Sequence, residues 1–260
     1  MNNKLQPVAS MLPVKSVGGQ SDGACVLFIH GFGADHQSWA GNVASVFKFA
    51  QALVVDLPGH GDSVSIPTGG SLSAIADNLL LSLDADKPVH LVGHSVGASI
   101  AALCAAKQPD RIASLSLLAP AGLGVGVSRN FVDRFVRLEN ESEALQLLQT
   151  LVHNERLISP ALASLVLNHL QQPGARESLK NFTNLFSDAV AEVTEAFNVI
   201  KNKDVRFQVF WGRQDRINGA SQIDEQSIGG DWHWYDDTGH LLHVEQRVLF
   251  NQTLCQFLEE

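Results

Sequence analysis

The pentapeptide Gly93-His94-Ser95-Val96-Gly97 sets a serine between two glycines, after the apolar run VHLV and before an alanine-rich stretch. A serine hydroxyl becomes a nucleophile only when a nearby base takes its proton, and the base works best when a third group orients it. In a G-x-S-x-G turn the positions two before and two after the serine must be small, because strand and helix backbones come close there. Gly93 and Gly97 meet that need. The same serine also reads as an N-cap of the following helix, so the rest of the chain has to supply the base and the acid. Two later candidates are Asp215, in FWGRQDRI, and His240, in DDTGHLLHVEQ. Asp236 and Asp237 are alternative carboxylates, and His243 is an alternative base, although the pair Gly239-His240 marks a loop.

The elements that must position these groups follow from apolar runs. ACVLFIHG (24–31), ALVVDLPG (52–59), VHLVGHS (89–95), ASLSLLAP (113–120), VRFQVFWG (205–212) and DWHWYDD (231–237) read as strands, several nearly continuous in apolar residues. Such runs suit a parallel sheet covered on both faces. LSAIADNLLLSL (72–83) and SIAALCAAK (99–107) have helical composition and spacing, which completes the alternation of an α/β fold. Ligands of such sheets gather at the carboxyl ends of the strands, where HGFG, DLPGHGDS, GHS and GRQD all fall. On sheets of this kind the chain order is nucleophile, acid, base, the order of Ser95, Asp215 and His240. The first twenty residues are expected to add one or two edge strands. Residues 121–201 carry helix-like pieces and no convincing strand, so they read as a helical cap inserted into a core formed by 1–120 and 202–260, entered through the glycine-rich hinge PAGLGVG.

Bulk properties narrow the function classes. With 18 basic against 27 acidic residues the chain carries a net charge of −9, which disfavours a nucleic-acid partner. The longest nearly apolar stretch, Val96 to Ala106, is too short to span a bilayer, and MNNKLQPVAS has no apolar core for a signal peptide. The expectation is a cytoplasmic protein, without membrane attachment. Cys25, Cys104 and Cys255 are odd in number, far apart and set among apolar neighbours, as small buried hydrophobes would be. No spacing of histidines and carboxylates suggests a metal, no phosphate loop is present, and no cofactor is expected.

HGFGADHQSW, DLPGHGDS, GHSVGAS, WGRQD and TGH, in that order, resemble the α/β-hydrolase superfamily over about residues 24 to 258. LLAPAGLG followed by FVDRFV is further similar to the hydrolase domain of acetoin dehydrogenase acetyltransferase components, although the lipoyl domain that such components carry is not expected here. The resemblance implies an α/β-hydrolase fold with a helical cap, Ser95 as nucleophile, Asp215 as orienting acid and His240, rather than His243, as general base. It also implies an oxyanion hole formed by the backbone N–H groups of Phe32 and Val96. Ala98 departs from the pattern, standing where relatives often have a second glycine. Phe32, His94 and His243 are assigned to substrate binding, Phe32 through its ring. His30, His60 and His94 lie in loop motifs, where a histidine more often bonds nearby backbone than performs catalysis, and Asp56, Asp62 and Ser63 shape the turn after their strand. Trp39, Trp232 and Trp234 read as core. A serine in the elbow argues against relatives that use aspartate there, and His94 departs from the Gly-Asn-Ser pattern of ring-cleavage carbon–carbon hydrolases. The expected activity is therefore hydrolysis of small carboxylic esters with short to medium acyl chains through an acyl-enzyme. The alternatives are a carbon–carbon bond hydrolase of a ring-cleavage pathway, a slow-turnover small-molecule receptor, or an accessory domain of a dehydrogenase complex. The oligomeric expectation is monomer or dimer.

Overall fold

The computed structural model describes residues 11–124, 127–220 and 223–260. Among these residues seven strands form one sheet: β1 (Val14–Gly19), β2 (Ala24–Ile29), β3 (Ala50–Val55), β4 (Val89–His94), β5 (Ile112–Leu118), β6 (Phe207–Gly212) and β7 (Asp231–Tyr235). Their order is β1-β3-β2-β4-β5-β6-β7, parallel throughout except that β1 runs antiparallel to β3 at one edge. The chain steps from β2 outward to β3 and then crosses to the other side of β2 to form β4. The direction of winding therefore reverses between β2 and β4, and the loops leaving these two strands flank the crevice where ligands of such sheets bind.

The apolar runs form strands because alternate side chains enter two different cores. Leu27 and Ile29 of β2, Leu91 of β4, and Val209 and Trp211 of β6 face one core; Val26, Phe28, Val92 and Phe210 face the other. The strands end earlier than the apolar runs suggest. β3 stops at Val55, and DLPG turns away as a loop held by the Asp56 carboxylate, which accepts the backbone N–H groups of His36 (2.7 Å) and Asp62 (3.0 Å). Of the first twenty residues, β1 is the edge strand; the segment MNNKLQPVAS lies outside the described residues, as do Val125 and Gly126 of the expected hinge.

Helices α1 (Leu72–Ser82) and α2 (Val96–Lys107) cover the first face. α2 starts at Val96, three residues before its expected start, and is buried on all sides from Val96 to Ala105. Gly97, Ala98, Ser99, Ala101, Ala102 and Ala105 make it thin enough to lie between the sheet and further helices. Among its described residues the segment from β5 to β6 forms helices joined by turns, and no strand: α3 (Arg129–Phe135), α4 (Glu141–Gln149), α5 (Pro160–Gln171), α6 (Ala175–Thr183) and α7 (Ala189–Asn202). Helices α3 to α6 pack on one another, whereas α7 lies against α1 and α2 and shares their core. Two short helices, α8 (Glu225–Ile228) and α9 (Leu242–Glu245), precede and follow β7, and α10 (Arg247–Glu259) covers the second face with Phe250 and Leu254. Among the described residues no helix is long and apolar enough to cross a membrane.

The smaller expectations divide. Cys104 is buried, while Cys25 and Cys255 are only half-buried. Trp39 is fully buried, but Trp232 and Trp234 are half-buried on the outer strand β7, with the Trp234 indole N–H donating to Glu225. An edge strand has no neighbour to cover its outer side, so alternate aromatics there pack on each other.

Candidate active site

Ser95 joins β4 directly to α2 and adopts φ 53°, ψ −120°, a left-handed conformation that costs energy for any residue but glycine. The surroundings hold it there. Its N–H donates to the Leu118 carbonyl (2.8 Å), and its own carbonyl accepts from Ala98 (3.0 Å) and Ala121 (3.1 Å). A Cβ at Gly93 would lie 2.5 Å from the Gly97 carbonyl oxygen, and one at Gly97 would lie 2.4 Å from that of Ile29, so both positions require glycine. The turn thus projects the serine side chain away from the strand, at the N-terminus of α2. Its hydroxyl bonds to no described residue, and Ser95 is 6 % exposed.

Asp215 and His240 meet directly. The His240 Nδ1 lies 2.8 Å from the Asp215 Oδ2, with both side chains almost wholly buried. The other carboxylate oxygen accepts the N–H groups of Ile217 (2.8 Å) and Asn218 (3.0 Å), so the carboxylate cannot rotate without losing them. An ionised carboxylate makes Nδ1 the protonated nitrogen of a neutral imidazole and leaves Nε2 with the lone pair. The two loops are tied together: Gln214 donates its N–H to the Thr238 carbonyl (2.9 Å) and accepts the Thr238 N–H on its side chain (2.9 Å). A Cβ at Gly212 would lie 2.2 Å from the Gly239 carbonyl oxygen, so the base loop can cross the end of β6 only over a glycine.

His94 links this pair to the serine. Its Nε2 lies 3.0 Å from the His240 carbonyl, which it reaches as a donor, and its ring is 4.6 Å from the His240 ring. Burial, reinforced by His240 and His243, holds the His94 imidazole well below the usual range and therefore neutral. The assignment of His94 to substrate binding gives way to the backbone-bonding reading, because its polar edge is used on the His240 main chain. His243, also assigned to substrate binding, is corrected too, here to a packed ring behind the site. It is 1 % exposed, its ring lies 4.5 Å from Trp39 and 4.8 Å from His94, and neither ring nitrogen has a partner among the described residues. Burial pushes its pKa down to about 3. It packs as a neutral ring beneath the site, not as a wall of the pocket.

The His30-Gly31-Phe32 loop lies over the elbow, since a Cβ on Gly31 would sit 3.2 Å from the Ser95 Cβ. Among the described residues the N–H groups of Phe32 and Val96 have no acceptor; Val96 follows Ser95 directly, and Phe32 follows Gly31, whose Cα lies against Ser95. His30 Nε2 accepts the Leu57 N–H (2.9 Å), and His60 Nδ1 faces the Pro58 carbonyl (2.9 Å); both are buried loop histidines. The Phe32 ring packs with Phe135 (5.5 Å), Phe182 (6.0 Å) and Phe186 (5.8 Å) from α3, α6 and the turn after α6. Sequence reasoning expects the insertion to contribute Leu, Val and Phe but does not single out these three phenylalanines. The only signal they offered was aromatic residues in a helical insertion, which does not say which helix face meets the loop after β2.

Comparison with known proteins identifies the family. A family model described as the Alpha/beta hydrolase family matches residues 26–253. The chain is 28 % identical over 235 residues to the dihydrolipoyllysine-residue acetyltransferase component of the acetoin cleaving system of Cupriavidus necator, covering 90 % of this chain and 63 % of that one. It thus spans less than two thirds of that relative. It is 34 % identical over 253 residues to monoacylglycerol lipase abhd6-B of Xenopus laevis, covering 90 % of this chain and 74 % of that one. A solved meta-cleavage product hydrolase from Pseudomonas fluorescens shares the fold with a TM-score of 0.81 at 21 % identity, over 95 % of this chain and 93 % of that one. The glycine-flanked serine at the end of β4, the buried carboxylate–imidazole pair beyond β6 and β7, and the match over nearly the whole chain lead to one conclusion: this protein belongs to the alpha/beta hydrolase family.

Proposed function

We propose that the protein is a serine hydrolase that cleaves carboxylic esters with short to medium apolar acyl chains. The observation that carries this reading is the buried 2.8 Å contact of His240 Nδ1 with Asp215, joined through His94 to the left-handed Ser95 that follows it in the chain. Asp215 holds His240 in the tautomer with a free Nε2. His240 takes the Ser95 proton as the hydroxyl oxygen attacks the ester carbonyl, and the oxyanion forms between the N–H groups of Phe32 and Val96. A single such donor contributes about 2.7–4 kcal/mol, because it meets charge that exists only near the transition state. His240 then protonates the leaving alcohol. A water molecule, deprotonated in its turn by His240, releases the acid and restores Ser95.

The rings of Phe32, Phe135, Phe182 and Phe186 favour an apolar acyl group, and the relative named as a monoacylglycerol lipase supports an ester substrate. The test is turnover of p-nitrophenyl esters from acetate to palmitate by the wild type and Ser95→Ala. Multiple turnovers on short to medium chains, abolished in the variant, are expected. Comparable activity in the variant overturns Ser95 as nucleophile. An inactive wild type moves the assignment to the carbon–carbon hydrolase or receptor reading.

A further inference from the structure

The corner Gln149–Asn154, between α4 and a single turn at Glu155–Leu157, lies between the loops that carry Asp215 and His240. The N–H groups of His240 (2.7 Å) and Leu241 (3.1 Å) both donate to the Leu151 carbonyl. A Cβ on Gly239 would lie 2.8 Å from the Val152 backbone, so the two segments touch main chain to main chain. Glu245 closes the joint from the end of α9. One of its carboxylate oxygens accepts the Gly239 N–H (2.6 Å), and the other accepts those of His153 (2.8 Å) and Asn154 (3.1 Å). From the acid side, the Arg216 guanidinium donates to the carbonyls of Gln149 (3.0 Å) and Val152 (2.9 Å).

We infer that this corner of the insertion is a fixed strut that positions the base, and that Glu245 is its principal positioning residue. This rests on the triad reading above. The Glu245 carboxylate contacts none of Ser95, Asp215 and the His240 side chain; it acts by holding three backbone N–H groups, one of them adjacent to His240. Moving the His240 main chain by a fraction of an ångström changes both the bond to Asp215 and the reach of Nε2 toward Ser95. Proton transfer and attack depend steeply on that distance, and a misplacement of 1 Å can cost roughly a hundredfold in rate. In the reading above the acyl group seats against the phenylalanine rings, whose ring contacts do not involve this joint. The loss should therefore fall on kcat and leave KM nearly unchanged.

The experiment compares wild type, Glu245→Ala, Glu245→Gln, Ser95→Ala and His240→Ala on the best p-nitrophenyl ester. Thermal melting and the far-downfield proton NMR signal of the His240–Asp215 hydrogen bond are recorded for each. Glu245→Ala leaves three N–H groups without their acceptor, and a kcat loss of about tenfold or more is expected with KM within about twofold. Its downfield signal should broaden or disappear although the protein melts cooperatively. Glu245→Gln, which keeps the shape and one acceptor oxygen, should lie between wild type and Glu245→Ala, and it carries the same readouts if the alanine variant does not fold. Wild-type kcat and an intact signal in a Glu245 variant, with Ser95→Ala inactive, overturn the strut alone. Retained turnover in Ser95→Ala overturns the triad reading beneath it.

Discussion

His243 provides a quantitative test of how the interior beneath the site is built. Its ring lies between Trp39 and His94, with both nitrogens unpartnered among the described residues, and its pKa is pushed down to about 3. In the unfolded chain a histidine titrates near 6.5, so above that pH neither state takes the proton and His243 adds no pH dependence. Below it the unfolded state binds a proton that the folded state refuses, and stability falls with decreasing pH until the folded value is reached. At pH 5.5 the unfolded state gains RT ln(1 + 10), about 1.4 kcal/mol, and at pH 5.0 about 2.1 kcal/mol, while the folded ring stays neutral. His60 and His94, also lowered well below the usual range by burial, act in the same direction. His243→Phe removes one of these protons and replaces a ring that cannot satisfy its polar atoms. Urea unfolding of both proteins at pH 7.5 and pH 5.5 isolates the effect. Whatever the difference in stability at pH 7.5, it should shift by about 1.4 kcal/mol in favour of the variant at pH 5.5. A shift below about 0.5 kcal/mol would refute the argument, because His243 would then be protonated in the folded state.

Two further outcomes follow from the geometry. In Asp215→Asn the N–H groups of Ile217 and Asn218 will hold the amide oxygen, which turns the amide N–H2 toward His240 and selects the tautomer with a protonated Nε2. Such a base cannot accept the serine proton, and steady-state kinetics should show kcat lower by roughly 10⁴, the loss known for the equivalent change in a serine protease, with little change in melting temperature. Gly97→Ala pushes a methyl group to within 2.5 Å of the His30 carbonyl oxygen, whereas position 98 already carries a methyl group. Gly97→Ala should therefore lower the melting temperature and the rate of labelling by a serine-directed fluorophosphonate, while Ala98→Gly should retain labelling and lose only about 1 kcal/mol in chemical denaturation. Normal labelling of Gly97→Ala would contradict the close approach of α2 to the loop after β2.

The elbow was legible because it is made within one short segment. Gly93, Ser95 and Gly97 answer to local sterics, and any chain that turns from strand to helix over so few residues meets the same collisions. The strands were legible for a related reason: a strand covered on both faces must be apolar at nearly every position, as β2 and β6 are. Chain order and loop position brought Asp215 and His240 forward as candidates. Their 2.8 Å contact, however, exists only because β6 and β7 are neighbours and Gly212 lets one loop cross the other. The same dependence explains what the sequence misjudged. His94 bonds a carbonyl 146 residues away, and His243 is wedged against Trp39, partners that no local pattern announces. Trp232 and Trp234 do pack against the core, as expected, but the place of β7 at the sheet edge leaves them only half-buried. α7 resembles the other insertion helices, yet it packs on α1 and α2. The sequence by itself determined the glycine-flanked serine turn and the strands and brought forward candidates for the acid and base, since backbone sterics and hydrophobic periodicity act over a few residues. Only the tertiary structure decided which groups touch, through strand order and the meeting of distant loops, because those contacts form between segments whose separation along the chain carries no information about their separation in space.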